Sequence, residues 1–174
     1  MATDNPVVRD LFIPLERFPH LQETKTIHDA VATLTHFACG ENERLRYSTL
    51  FVINQQNQLV GKLNLQDLLI ALDKRLVDIP KAAGFEGQGA EYPNLAFLWE
   101  DSFFVECARQ KDVQLKDIMR PVNRIAKVND PLVKAMSLIL NSRDQVIPVL
   151  DGEEIVGILR LEEIFTAVCT SCKL

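Results

Sequence analysis

Apolar residues recur at helical spacing in four stretches of the chain. Positions i, i+3, i+4 and i+7 lie on one side of a helix, so each stretch predicts an amphipathic helix. Thr26, Asn64 and Asp130 stand just before three of the stretches, where N-cap residues are expected. The apolar faces are Ile27, Ala30, Val31, Leu34 and Ala38; Leu65, Leu68, Leu69 and Leu72; Leu132, Ala135, Met136, Ile139 and Leu140; and Leu161, Ile164, Phe165 and Val168.

Two short β-rich runs joined by a polar turn follow the first of these helices, and two more follow the third. The runs cover residues 49–53 and 59–63, and then 145–150 and 155–159. Runs of this length with a turn between them predict β-hairpins. The order strand, helix, strand, strand, helix therefore occurs twice along the chain.

The two sets of elements are copies of one unit. Asp10-Leu-Phe-Ile-Pro corresponds to Asp117-Ile-Met-Arg-Pro, Ile27 to Leu132 and Gln58 to Glu154, so the offset falls from 107 to 105 to 96 residues. A decreasing offset places small insertions in loops of the first copy, where insertions are well tolerated. We therefore interpret the chain as an internal repeat.

Each repeat predicts a three-stranded sheet with two helices on one face, which leaves the other face apolar. A unit of about 55 residues buries too little surface alone, so we expect the copies to pack together. The predicted fold is α/β (α+β), with two β-α-β-β-α repeats packed as a pseudo-twofold pair. We predict repeat 1 at residues 7–73, a linker with an inserted helix at 74–113, and repeat 2 at 114–171. Residues 95–108, which include Trp99, carry the apolar pattern of the inserted helix.

Composition and charge exclude several classes of protein. The chain has 174 residues, of which 47% are hydrophobic and 25% charged, and its net charge is −5. These values are typical of a globular protein and argue against disorder, and the net negative charge disfavours binding to nucleic acid. No apolar run reaches the roughly 18 residues of a membrane span, and the N-terminus lacks the pattern of a signal peptide. We expect a cytoplasmic protein with no membrane partner and with reduced cysteines.

Three short motifs make the chain resemble a known family. They are Asp-Ile-Met-Arg-Pro at 117–121, Ile-Pro-Val-Leu-Asp at 147–151, and Ile-Val-Gly-Ile-Leu at 155–159. Their order and duplication resemble a tandem pair of cystathionine-β-synthase-type (CBS) domains, the Bateman module, as found in standalone bacterial CBS-domain proteins. The resemblance implies a regulatory module and not an enzyme, with no cofactor and no metal site. It also implies an adenosine-containing ligand (AMP, ADP, ATP, S-adenosylmethionine or NAD) in the cleft between the repeats, a homodimer, and an unknown protein partner.

The resemblance also implies ligand-binding residues after the last strand of each repeat. There the family carries Ser or Thr near the phosphate and, three residues later, an Asp that accepts hydrogen bonds from the ribose hydroxyls. Repeat 1 has Asn64 and Asp67 at these places, and Asp67 alone is equally consistent with a helix-capping carboxylate. Repeat 2 has Arg160 and Glu163, where the longer Glu makes bidentate ribose contact doubtful. Arg160 could bind phosphate or could pair with a neighbouring glutamate, so repeat 1 provides the better site.

Three further basic residues are candidates for phosphate contact. Arg46 and Arg143 precede the middle strand of their repeats, and Lys62 lies on the last strand of repeat 1. The alternative for each is an ordinary solvated surface charge.

Two other functions remain open at this point. The degenerate second site and the aromatic inserted helix favour a ligand-independent module for protein interaction or dimerisation. Cys169-Thr-Ser-Cys172 has the spacing of a redox or metal motif. However, it lies at the C-terminal end of a predicted helix, where the helix dipole does not lower a thiol pKa, and no second pair supplies four zinc ligands.

Overall fold

Two β-sheets with helices packed on them form the core of the molecule. The computed structural model describes residues 6–37, 44–76, 100–142 and 145–172. The strands are β1 (Ile13–Pro14), β2 (His20–Gln22), β3 (Thr49–Ile53), β4 (Leu59–Asn64), β5 (Ala126–Lys127), β6 (Val146–Asp151) and β7 (Glu154–Arg160). The helices are α1 (Ile27–His36), α2 (Leu65–Leu72), α3 (Glu100–Gln110), α4 (Leu132–Leu140) and α5 (Leu161–Cys172). The mixed α/β fold and the repeated element order are as predicted.

The sheets have the same internal arrangement. In the first, the order is β2-β3-β4, with β2 parallel and β4 antiparallel to β3. In the second, the order is β5-β6-β7 with the same directions, and β1 is added beside β7. Both hairpins have a register shift at an equivalent point, after Val52 in β3 and after Val149 in β6. The two halves are therefore copies of one structure, down to this irregularity.

Hydrogen bonds between the halves follow the sequence offsets. The Val8 N–H donates to the Asp130 carbonyl at 3.0 Å, and the Leu115 N–H donates to the Lys25 carbonyl at 2.8 Å. Val8 and Leu115 differ by 107 positions and Lys25 and Asp130 by 105, so these two bonds are equivalent under the repeat. The segment that precedes each repeat's first strand is thus bound to the other repeat.

At the edge of each sheet, a residue from the segment before the other repeat pairs with the last strand. Residue Ile13 of β1 lies opposite Ile158 of β7, and Arg120 forms an isolated antiparallel bridge with Lys62 of β4. Ile13 corresponds to Arg120, and Lys62 to Ile158. Arg120 therefore lies at the edge of the repeat 1 sheet, although it belongs to the repeat 2 sequence.

The seam between the repeats has an apolar centre with a cavity beside it. Phe18, Phe51 and Ile158 are completely buried there, in a cluster to which both repeats contribute. Phe18, together with Tyr47 and Val146, also lines the neighbouring cavity. The apolar cluster thus supplies a rigid wall for that cavity.

One helix start differs from its prediction. Thr26 and Asn64 cap α1 and α2 through side-chain hydrogen bonds, as expected. For α4, however, the N-cap position is Pro131, which corresponds to Thr26, and Asp130 makes no cap. The Asp130 carboxylate instead accepts hydrogen bonds from the Lys127 N–H at 3.0 Å and from Lys134 Nζ at 2.8 Å. The carboxylate is thus satisfied by the Lys127 N–H and by the side chain of Lys134 in the first turn, and not by a backbone N–H of α4.

The inserted helix is observed over Glu100–Gln110 as α3, which packs on α2. The remainder of the predicted helix, including Trp99, and most of the linker lie outside the described residues, as does Arg143. Among the helices of the described residues, none has both the length and the apolar character needed to span a bilayer.

Candidate functional site

A cavity of about 300 Å³ lies between the two repeats, next to the start of α2. Five predicted site residues line it: Arg46, Lys62, Asn64, Asp67 and Arg160. Its other lining residues are Phe18, Tyr47, Ser48, Thr49, Arg120, Gln145, Val146 and Glu162. Glu163 is not among the lining residues, although its carboxylate accepts hydrogen bonds from Arg160. The structure therefore brings most of the candidates together in one place, at the seam.

Among the residues that the structure describes, two partners bind the Asp67 carboxylate. Asn64 caps α2 by accepting a hydrogen bond from the Asp67 N–H at 2.8 Å, and its own N–H donates to Asp67 Oδ2 at 3.0 Å. The other oxygen, Oδ1, forms an ion pair with the guanidinium of Arg120. Only 5% of the Asp67 side chain is exposed. Asp67 is thus a capping carboxylate that also lines the cavity.

Arg120 is the basic residue among the described lining residues that the sequence did not predict, and the aromatic wall of Phe18 and Tyr47 was not predicted either. The Arg120 backbone is fixed to Lys62 by two hydrogen bonds, of 2.9 and 3.0 Å, while 54% of its side chain is exposed. The available signal was the comparison of the two copies of the Asp-x-x-x-Pro motif. Repeat 1 has Ile13 where repeat 2 has Arg120, and a charge that replaces an apolar residue in a duplicated motif indicates a role that only one copy has.

In repeat 2 the two candidate residues, Arg160 and Glu163, bind each other. Arg160 Nε donates to the Glu163 carboxylate at 2.9 and 3.2 Å, and Nη2 also contacts it. This hydrogen bonding raises the pKa of Arg160 above its already high ordinary value. The Arg160 guanidinium also lies 6.0 Å from the centre of the Tyr47 ring. The pairing with a neighbouring glutamate is the arrangement observed, and Arg160 still borders the cavity.

An aromatic wall lies between the basic residues. The Tyr47 hydroxyl donates to the Arg17 carbonyl at 3.1 Å, and its ring lies 4.6 Å from that of Phe18. The Arg46 guanidinium lies 5.5 Å from the centre of the Tyr47 ring. Such cation–π contacts hold guanidinium groups in place without neutralising their charge.

The cavity is electropositive within a chain that is negative overall. Among the described residues that line it, four are basic (Arg46, Lys62, Arg120, Arg160) and two are acidic (Asp67, Glu162). The net charge of the whole chain is −5. A local excess of positive charge beside the first turn of a helix favours an anionic ligand.

A larger concavity, of about 890 Å³, lies between the end of α2 and α3. Its buried carboxylate, Asp73, is bound by Arg75 through hydrogen bonds of 2.6 to 3.1 Å. Arg75 lowers the pKa of Asp73 and thereby keeps it ionised. Among the described residues that line this concavity, three are basic (Lys74, Arg75, Arg109) and two are acidic (Asp73, Glu106), a smaller excess of positive charge than in the seam cavity, so the seam cavity is the stronger candidate.

The cysteines give no support to a redox or metal site. In the described part of the chain, no group of three or more His, Cys, Asp or Glu side chains is arranged to hold a metal ion. Cys169 and Cys172 lie in the last turn of α5, with Cys172 exposed. Burial raises the pKa of the Cys107 thiol in α3, which makes it a poorer nucleophile.

Comparisons with known proteins agree with this architecture. Residues 115–169 match the family model described as CBS domain. No curated protein sequence matches the chain. The structure of the CBS-pair protein CBSX2 from Arabidopsis thaliana is 18% identical, with a TM-score of 0.66, and the match covers 98% of this chain and 99% of that chain.

Two further solved structures carry nucleotides. CBSX2 in complex with AMP is 20% identical, with a TM-score of 0.63 and coverage of 95% of this chain and 98% of that chain. The cytosolic domain of the Mg²⁺ channel MgtE in complex with ATP is 16% identical, with a TM-score of 0.58, and the match covers 90% of this chain and 46% of that chain. At these identities the likeness concerns the fold. The chain therefore has the fold of a tandem CBS-domain pair, and within it residues 115–169 match the CBS-domain family model.

Proposed function

We propose that this chain is a regulatory module that binds an adenine nucleotide in the cavity between its two repeats. The observation that carries the proposal is the seam cavity itself, where Asp67 and four basic side chains from both repeats meet. Two solved structures of the same fold, with AMP and with ATP, support the ligand class.

Each lining group has a role that its chemistry suits. A carboxylate such as Asp67 accepts hydrogen bonds from two adjacent ribose hydroxyls. Asn64 and the first turn of α2 border the cavity, where the positive end of the helix dipole favours a phosphate. Arg46, Lys62 and Arg160 add positive charge around the same volume, and Phe18 and Tyr47 form an apolar wall. The module needs no reacting group for this function, and we propose no catalytic activity.

The cavity size and charge distinguish the candidate ligands. A volume of about 300 Å³ is at the lower end of the range for small-molecule sites and suits a mononucleotide better than the dinucleotide NAD. S-adenosylmethionine carries a positive sulfonium, which the excess of basic residues disfavours. AMP, ADP and ATP are therefore the preferred ligands.

Regulation would follow from the position of the cavity. Its walls come from both repeats, so a ligand contacts both and favours the packing of the repeats in which its contacts are best. A ligand shifts such an equilibrium only by the difference between its affinities for the two states. A partner protein that distinguishes these states would carry the signal onward.

Calorimetric titration with AMP, ADP and ATP tests this proposal, with S-adenosylmethionine and NAD as comparison ligands. The informative variant is Asp67→Asn, and its matched control is Asp29→Asn. Asp29 occupies the same place in the capping box of α1 but does not line the cavity. We expect Asp67→Asn to weaken nucleotide binding about tenfold or more and Asp29→Asn to leave it unchanged. Absence of binding by the native chain, or equal losses in both variants, would contradict the proposal.

A second candidate function is dimerisation through α4 and α5. Val133 and Leu140, seven residues apart on one face of α4, are 69% and 65% exposed, and Phe165 on the neighbouring α5 is 67% exposed, so these helices present several large apolar side chains as an interface does. We propose that a second copy of the chain covers them. Sedimentation analysis should show a dimer that Phe165→Glu dissociates, whereas Phe104→Glu on α3, at a comparably exposed position, leaves it intact. A monomeric native chain would exclude this function.

A further inference from the structure

The ion pair between Asp67 and Arg120 obstructs the ligand proposed above. Each carboxylate oxygen already has one partner, the Asn64 N–H for Oδ2 and the Arg120 guanidinium for Oδ1. Each oxygen can accept a further hydrogen bond, but only 5% of the Asp67 side chain is exposed while both donors are in place, so a ribose reaches the carboxylate only if one of them moves. The Asn64 N–H is fixed at the start of α2, whereas 54% of the Arg120 side chain is exposed to solvent, into which it can turn. Arg120 is therefore the group that moves.

We propose that Arg120 determines specificity: when the ligand binds, the Arg120 guanidinium moves from the Asp67 carboxylate to the phosphate of the ligand. The site therefore favours nucleotides over nucleosides. We call the ion pair between Arg120 and Asp67 the latch. The inference rests on the proposed function, because it assumes that the ligand binds at Asp67. It concerns how that site selects its ligand and which residue senses the phosphate.

Binding at Asp67 exchanges one anion for another as the partner of the Arg120 guanidinium. A nucleoside that displaces Arg120 leaves the guanidinium without a carboxylate, so the lost ion pair opposes binding. A nucleotide brings a phosphate, and a guanidinium binds phosphate as well as it binds carboxylate, often through two hydrogen bonds. The nucleotide therefore replaces the interaction that it breaks, and the nucleoside does not.

The backbone at Arg120 makes this movement local. Two hydrogen bonds to Lys62 hold the Arg120 backbone against β4, so the side chain turns about a fixed Cα. Lys62 and Arg46 border the same cavity and strengthen the positive field into which a phosphate enters. Rotation of the Arg120 side chain is thus enough to make the Asp67 carboxylate accessible to the ligand.

The latch also crosses the seam. Asp67 belongs to repeat 1, and Arg120 belongs to the segment that leads into repeat 2. Breaking their ion pair removes one contact between the repeats and replaces it with contacts through the ligand. Occupancy of the site is thereby coupled to the packing of the two repeats.

The test compares AMP with adenosine by calorimetry on the native chain, Arg120→Met, Arg120→Lys and the control Arg9→Met. Arg9 is an exposed arginine whose side chain bonds Asn129 and does not line the cavity. For Arg120→Met we expect AMP affinity to fall about tenfold and adenosine affinity to rise about threefold, since the competitor for Asp67 is gone. Arg120→Lys keeps a charge beside Asp67 and should shift both affinities in the same directions by less. Arg9→Met should change neither.

The outcomes separate this inference from the proposed function. If the native chain binds AMP but Arg120→Met and Arg120→Lys weaken AMP and adenosine in equal proportion, or change neither, the latch is wrong and the nucleotide site stands. If the native chain binds neither ligand, both proposals fall. Circular dichroism establishes that the variants are folded. If Arg120→Met does not fold because the buried Asp67 carboxylate has lost its positive partner, Arg120→Lys alone provides the comparison of AMP with adenosine. Adenosine affinities too weak for direct titration are measured by competition with AMP.

Discussion

Gly61 and Gly157 occupy equivalent positions in β4 and β7, and each lies against the motif segment of the other repeat. A Cβ placed on Gly61 would lie 2.6 Å from Met119 Sδ, and one on Gly157 would overlap the Ile13 carbonyl oxygen and the Phe12 ring. Met119 and Phe12 are themselves equivalent, 107 residues apart. The glycine in each Val-Gly pair is therefore explained by close approach of the neighbouring chain.

This geometry predicts unequal effects of the same substitution. Gly157→Ala should lower the free energy of unfolding by about 3 kcal/mol, because the obstacle includes backbone of β1 that is paired in the sheet. Gly61→Ala should cost about 1 kcal/mol, since the flexible Met119 side chain can move aside. Urea unfolding of the two variants measures both values. A Gly61→Ala variant that is as unstable as Gly157→Ala would contradict the explanation.

Stability at acidic pH should depend on Asp130. Burial tends to raise the pKa of this carboxyl, but hydrogen bonds from Lys134 and from the Lys127 N–H outweigh it and hold the pKa below its ordinary value of 3.8. Because the pKa is lowered on folding, the ionised group stabilises the protein above about pH 4. This contribution is lost as the pH falls through the lowered pKa of the folded state.

The corresponding experiment compares native chain and Asp130→Asn by urea unfolding between pH 3 and pH 7. We expect the variant to be less stable at pH 7 and the difference to shrink as the pH falls below 4. A difference that stays constant over the whole range would show that Asp130 acts without its charge.

The sequence predicts what is local. Helical spacing identified α1, α2, α4 and α5, the cap at Asn64 followed from its position before an apolar face, and the offsets of the repeat anticipated the two matching sheets. The prediction failed at Asp130, where the competing donors come partly from Lys127 on the preceding strand. A rule for helix starts weighs the residues of one turn and does not include such neighbours.

Sequence patterns did not predict that the segment before each repeat joins the sheet of the other repeat. Arg120 and Asp67 are separated by 53 positions and meet only because the segment before each repeat joins the sheet of the other. Nothing in the spacing of apolar residues determines which edge a two-residue strand joins. The duplicated motif nevertheless contained a usable signal, since Arg120 replaces Ile13 at an otherwise similar position.

Nucleotide binding should weaken as salt is added. The basic residues around the cavity are partly exposed, and salt screens their attraction for phosphate over distances of about 8 Å at physiological ionic strength. We expect the dissociation constant of AMP to rise several-fold between 50 and 500 mM NaCl, while that of adenosine changes little. Equal salt dependence for both ligands would mean that the phosphate does not contact the basic residues.

Glu163 should act on the ligand through Arg160. Its carboxylate forms a bidentate contact with the Arg160 guanidinium and neutralises a charge at the edge of the cavity. Glu163→Gln releases that charge, so AMP affinity should rise about threefold, which corresponds to the strength of a partly exposed ion pair. Calorimetric titration of AMP measures the change.

The control for this prediction is Glu106→Gln in α3. Glu106 pairs with Arg109 at 3.6 Å, with the same i,i+3 spacing, but neither residue lines the seam cavity. Its removal should leave AMP affinity unchanged. If Glu163→Gln also leaves AMP affinity unchanged, Arg160 does not approach the phosphate. If AMP affinity falls, Glu163 is needed to hold Arg160 in position. In that case, neutralisation of the Arg160 charge by Glu163 does not limit binding.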